Sequence, residues 1–98
     1  MKFQIEFAES AFEDLRWFKK YELVLILNAI DKQLIYEPAL ETRNRKSLRD
    51  NIFSRWELRV DKYRVFYNVN ETEGIVAITA VGYKEHGKLF IRGKEVKL

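Results

Sequence analysis

Arg55, Glu57 and Arg59 occupy every second position of one short run, and Trp56, Leu58 and Val60 alternate with them. Successive side chains on a strand point to opposite faces, so this spacing gathers the charged set on one face and the apolar set on the other. Arg64 follows across a tight turn in a second run of the same kind, Tyr63 to Val69. Guanidinium groups engage phosphate oxygens through paired N–H donors. A carboxylate among them has two uses. Glu57 could take a proton from a reacting hydroxyl as a general base, or it could hold Arg59 or Arg64 in place as an ion-pair partner. Lys84, His86 and Lys88 recur at two-residue spacing around Gly87. The lysines could add phosphate contacts, and an imidazole is the side chain suited to proton transfer near neutral pH. The bland reading of a lone loop histidine is an exposed turn residue with no chemistry.

These residues need a frame. Phe3, Ile5 and Phe7 alternate in a first strand over residues 2–7. A helix over 9–20 follows, for which Ser10 and Glu13 form a capping box. Ala11, Phe12, Leu15 and Phe18 make its apolar stripe. Leu23, Ile26, Leu27, Ile30 and Leu34 repeat at helical spacing over 22–36, and Pro38 stops that helix by pushing the preceding residue out of helical geometry. With almost no linker between them, the two helices form an antiparallel hairpin. Residues 41–51 read as a basic connector without regular structure, carrying Arg43, Arg45, Lys46 and Arg49. Strands are expected near 53–60, 63–70 and 75–82, with Asn70 to Gly74 as a turn. The 75–81 run is apolar on both faces, which marks a central, covered strand. This order predicts an α+β fold in one domain, 1–98: an N-terminal strand and a helical hairpin packed on one face of a small, mainly antiparallel sheet. The other face would carry Arg59, Arg64 and Glu57. Phe66 shares parity with Arg64 and would floor that face, whereas Tyr67 points to the core. Trp17 and Trp56 read as core or interface residues rather than base-stacking platforms.

Composition narrows the functions available. A chain of 98 residues, 47% hydrophobic, suits one core. The absence of cysteine excludes thiol nucleophiles and thiolate metal sites, and a single histidine with no dense carboxylate cluster argues against a dedicated transition-metal site. No apolar run approaches the roughly 20 residues of a membrane span, and no signal-peptide pattern opens the chain. Net charge is +3, but residues 1–40 hold 5 basic and 7 acidic side chains while residues 41–98 hold 13 and 8. The positive field therefore lies on the sheet and its loops, where it would attract a phosphate backbone.

Leu58-Arg59, Tyr63-Arg64-Val65-Phe66-Tyr67 and Ile78-Thr79-Ala80-Val81-Gly82 with Lys84 beyond it, in this order behind two helices, resemble the toxins of the RelE/ParE superfamily. The resemblance implies the toxin of a type II toxin–antitoxin pair: a cytoplasmic, ribosome-dependent mRNA endoribonuclease that needs no metal or cofactor and inhibits translation. Its implied partners are a cognate antitoxin, the ribosome and mRNA. Arg64 then stands where the family contacts the scissile phosphate. Lys84 holds the basic position after Val-Gly, and Arg59, Arg55, Arg45, Lys46 and Lys88 are further RNA contacts. Two departures bear on mechanism: Glu57 stands where the nearest family members have lysine, and Phe90 stands where they have tyrosine. His86 is the nearest substitute for the missing acid. The same departures favour the alternatives, a ParE-like toxin that poisons DNA gyrase or a degenerate toxin that only binds its antitoxin. The tail from Leu89 to Leu98 reads either as a docking edge for a partner or as a terminal strand on its own domain.

Overall fold

A computed structural model of the protein describes residues 1–48 and 54–97. The expected connector residues Arg49, Asp50 and Asn51, and the expected strand start at 53, lie outside the described residues. The elements run β1 (Gln4–Phe7), α1 (Glu9–Arg16), α2 (Lys20–Leu34), β2 (Arg45–Ser47), β3 (Trp56–Val60), β4 (Tyr63–Asn70), β5 (Ile75–Glu85), β6 (Lys88–Ile91) and β7 (Lys94–Val96). The sheet order is β2-β3-β4-β5-β6-β7, and every neighbouring pair along it is antiparallel. β1 pairs in parallel with the first half of β5, Gln4 opposite Ile75 through Phe7 opposite Ile78. The α+β architecture expected from the sequence is the one observed.

The two helices bury their stripes on one face of this sheet. Ile26, Ile30 and Leu34 of α2 and Ala11 and Leu15 of α1 join Leu58, Val65, Tyr67, Val76, Ile78 and Val81 in one core. Each fully buried aliphatic side chain contributes about 1.5–3 kcal/mol. Tyr67 is wholly buried, and its hydroxyl donates to the Pro38 carbonyl at 2.7 Å, so the ring packs without orphaning its polar tip. Trp56 is half-buried and stacks on Tyr67. Among the described residues no helix is long and apolar enough to cross a membrane.

Local structure departs from expectation where a side chain has a better partner than its own backbone. Ser10 does not cap α1. The N-cap is Ala8, and the Ser10 hydroxyl donates to the Thr79 carbonyl at 2.9 Å. That carbonyl belongs to a gap on the edge of β5, between the stretch paired with β1 and the stretch paired with β6. α1 fills the gap: Ala8 N–H donates to Ile78, Ser10 to Thr79, and Asp14 Oδ2 accepts from Val81 N–H at 3.0 Å. α1 ends at Arg16 rather than at residue 20, and α2 starts at Lys20, whose entry is fixed by Lys19 N–H donating to Glu22 Oε1 at 2.9 Å. Part of the expected irregular connector is strand β2, and the tail is the hairpin β6–β7. Both tail turns, His86-Gly87 and Arg92-Gly93, have positive φ at both residues, as a two-residue type I′ hairpin requires.

Candidate functional site

The site is built by cross-strand register. Glu57 and Arg59 project from β3 away from the helices, and their partners on β4 are Phe66 and Arg64. Arg64 in turn lies opposite Gly82 of β5, and Phe66 opposite Ala80. Lys46 of β2 lies opposite Glu57. Glu57, Arg59 and Arg64 therefore share the face that the helices leave uncovered.

A bulge makes this alignment possible. Between Phe66 and Tyr67 the β4–β5 register slips, and Thr79 is the extra residue on β5. Val76 and Ile78 face the core before the bulge, and Val81 faces it afterwards. Ala80, Gly82 and Lys84 consequently fall on the side of the arginines.

Phe66 and Ala80, with Leu89 of β6, form a small second cluster under the site, to which Leu48, Ile91 and Val96 add. Gly82 is required by proximity: a Cβ there would stand 2.4 Å from the Phe90 carbonyl oxygen and 2.9 Å from Ile91 Cγ1. The Val-Gly pair noted in the sequence thus has a packing reason, since the β6 backbone at Phe90 lies against it. Phe66, fully buried, floors the face but offers no surface for base stacking.

The three central side chains differ in how far they are committed. Glu57 is buried, and its Oε2 accepts from Arg59 Nε at 3.0 Å, with the two side chains 6% and 48% exposed. The ion-pair role weighed for Glu57 is thus visible as a contact with Arg59. Arg64 donates twice through Nη1, to the Asp61 carbonyl at 2.7 Å and to the Tyr63 carbonyl at 2.8 Å. Its Nε is buried and has no hydrogen-bond partner among the described residues. Burial pushes the Arg64 guanidinium below its ordinary pKa, Glu57 opposes the shift, and Arg59 adds to it. An arginine stays charged nonetheless. A buried donor without a partner costs about 1–3 kcal/mol.

The other expected site residues divide. Lys84 lies on the same face, two residues beyond Gly82, and Lys46 sits across from Glu57. Arg55 is exposed at the entry to β3, where its N–H donates to Asn68 Oδ1. Arg45 is otherwise engaged: it is 8% exposed, and its guanidinium donates to the carbonyls of Leu40 at 2.9 Å and Gln33 at 2.6 Å, tying the end of α2 to β2. Its partner across the ladder is the core residue Leu58, so it sits on the helix side of the sheet. His86 is at the tip of the β5–β6 hairpin with φ of 52°, a conformation in which histidine is over-represented for local reasons. Gly82 marks the Arg64 row, and four residues of strand separate His86 from it, about 13 Å. The turn accounts for His86 without chemistry. Lys88 is exposed beside it.

Sequence reasoning missed Asp14. It is 2% exposed, bonded to Val81 N–H and paired with Arg92 Nε at 3.1 Å, and burial raises its pKa against the opposing pull of those two partners. A charged residue between the stripe residues Ala11 and Leu15 was the only hint in the sequence.

No protein-family model matches the chain, and no curated protein is significantly similar to it. Solved structures are. A chain of the toxin–antitoxin complex RelBE2 from Mycobacterium tuberculosis superposes with a TM-score of 0.72 at 22% identity, over 86% of this chain and 100% of that one. A chain of the archaeal RelE-RelB complex from Pyrococcus horikoshii does so with a TM-score of 0.69 at 20% identity, over 88% and 99%. The chain therefore shares the fold of these two chains.

Proposed function

We propose that the protein is the toxin of a type II toxin–antitoxin pair and an endoribonuclease that cuts mRNA on the ribosome. The observation that carries this reading is the cross-strand pair Arg59–Arg64 on the helix-free face. Cleavage of RNA by its own 2′-hydroxyl forms a bond from that oxygen to the neighbouring phosphorus and breaks the bond to the 5′ oxygen, which leaves with a proton taken from water. Negative charge builds on the phosphoryl oxygens as this happens, and fixed donors aimed there lower the barrier. Arg64, held by two backbone carbonyls, is such a donor. Arg59, held by Glu57, is the second. Glu57 aims Arg59 through Oε2, and Oε1 is the atom on which it would take up the hydroxyl proton. The antitoxin is the partner expected for a toxin of this fold, and the complexes that share the fold support it.

The decisive experiment runs two assays on the same preparation, mRNA cleavage in a translating extract and supercoiling by DNA gyrase. New mRNA ends on translating ribosomes with unimpaired supercoiling are expected. Inhibited gyrase without new RNA ends would overturn the proposal in favour of a gyrase poison.

A further inference from the structure

We propose that the outer face of α2 is a self-association surface, on which a second copy of this chain docks its own α2 in the antiparallel direction. The inference does not depend on the RNA-cleaving reading. α2 is apolar on two sides. Ile26, Ile30 and Leu34 enter the core, whereas Tyr21, Val24, Leu25 and Leu27 remain exposed, Leu27 included although spacing alone assigns it to the inward stripe. A helix with apolar side chains all round is ordinarily covered on all sides. Val24 and Leu27 are 52% and 40% exposed, so in a single chain this side of the helix stays in water.

Spacing and charge identify the occupant. Lys20, Val24, Leu27 and Asp31 are all exposed and follow one another at intervals of four, three and four residues, the spacing of a seam between two helices. Two-fold antiparallel pairing of such a seam sets Val24 opposite Leu27 of the second copy and Lys20 opposite its Asp31, and repeats both pairs across the axis. The seam is thus complementary to itself. Lys20 and Asp31 of one helix stand about 16 Å apart along its axis, and among the described residues neither belongs to an ion pair. Each charge also stands at the wrong end of its own helix dipole, a cation in the first turn of α2 and an anion in the last. An antiparallel neighbour reverses both relations, since its C-terminal end lies beside Lys20 and its N-terminal end beside Asp31. One helix on one helix buries less than the roughly 800 Å² per partner of a standard interface, so the dimer is a weak one that forms at high concentration.

Sedimentation velocity on the full chain over a concentration series tests this. Wild type is expected to move from the monomer mass of 11.8 kDa toward twice that value. Lys20→Glu and Asp31→Lys should each raise the dissociation constant about tenfold or more, because symmetry turns two attractive pairs into two repulsive ones, and Leu27→Glu should weaken the dimer as well. An equimolar mixture of the Lys20→Glu and Asp31→Lys proteins should restore it, since each supplies the charge that the other lacks. Circular dichroism establishes that each variant is folded. A wild type that stays at 11.8 kDa throughout would overturn the proposal and leave the face to another occupant, such as an antitoxin helix. A dimer indifferent to the charge reversals, or one that mixing does not restore, would put the contact elsewhere and overturn it too.

Discussion

Removing either partner of the Glu57–Arg59 pair breaks the same 3.0 Å contact, yet the two losses are expected to differ. Glu57 is 6% exposed and Arg59 is 48% exposed, so the carboxylate depends on its partner while the guanidinium is already half in water. Arg59→Ala strands a buried charge. Breaking a buried pair this way costs about 3–5 kcal/mol, and Arg64 across the strand offsets part, which leaves about 3 kcal/mol. Glu57→Gln keeps the shape and lets Arg59 hydrate, which costs about 1 kcal/mol. Urea unfolding at pH 7 measures the difference of about 2 kcal/mol as a separation of about 1 M or more in midpoint. The double variant should recover much of the loss, because the buried Glu57 charge is gone. Equal costs, or a larger cost for Glu57→Gln, would refute the assignment of Glu57 as the dependent partner. The same variant bears on mechanism in single-turnover cleavage on the ribosome: loss of a working general base lowers the rate about 10²–10⁴-fold, whereas loss of an aiming contact leaves most of it.

Arg64→Ala is expected to lower single-turnover cleavage about 10²–10³-fold, the usual effect of removing one transition-state donor, and to preserve antitoxin binding measured by calorimetry. Gly82→Ala brings a Cβ within 2.4 Å of the Phe90 carbonyl, so thermal unfolding should show a loss of about 1–3 kcal/mol. The pH dependence of stability has a defined sign at Glu22, whose pKa is lowered chiefly by the Tyr63 hydroxyl donating to it at 2.7 Å. This contribution is present above the ordinary carboxylate value of 4.5 and is lost as pH falls through the lowered value. The stability gap between wild type and Tyr63→Phe should therefore be widest near neutrality and shrink in acid, and a constant gap in acid unfolding curves would count against it.

What the sequence made legible was periodicity sustained over several residues. β4 falls on residues 63–70 as expected, and the shared face of Arg59 and Arg64 follows from parity across a two-residue turn. β2 and β7 are three residues each and β6 is four, too short to show a period against the basic composition around them. Ser10 was misread because a capping pattern is local, whereas its acceptor, Thr79, is 69 residues away. Arg45 looked like a surface cation because nothing in its neighbourhood announces that Gln33 and Leu40 need donors. The charge on the open face was readable; which charges were already spent was not.

The bulge at Thr79 gives β5 two reading frames. Upstream of it, even-numbered residues build the core; downstream, even-numbered residues face the site. Deleting Thr79 would leave Ile78 opposite Tyr67 and Ala80 opposite Phe66 in an unbroken ladder, so Val81 would stay in the core and Gly82 and Lys84 on the open face. An insertion at Glu71–Glu73, in the exposed turn before β5, shifts no side chain across the sheet and should be accommodated. The bulge is therefore slack that a shorter variant of this strand could lose while keeping the face on which Arg59, Arg64 and Lys84 meet.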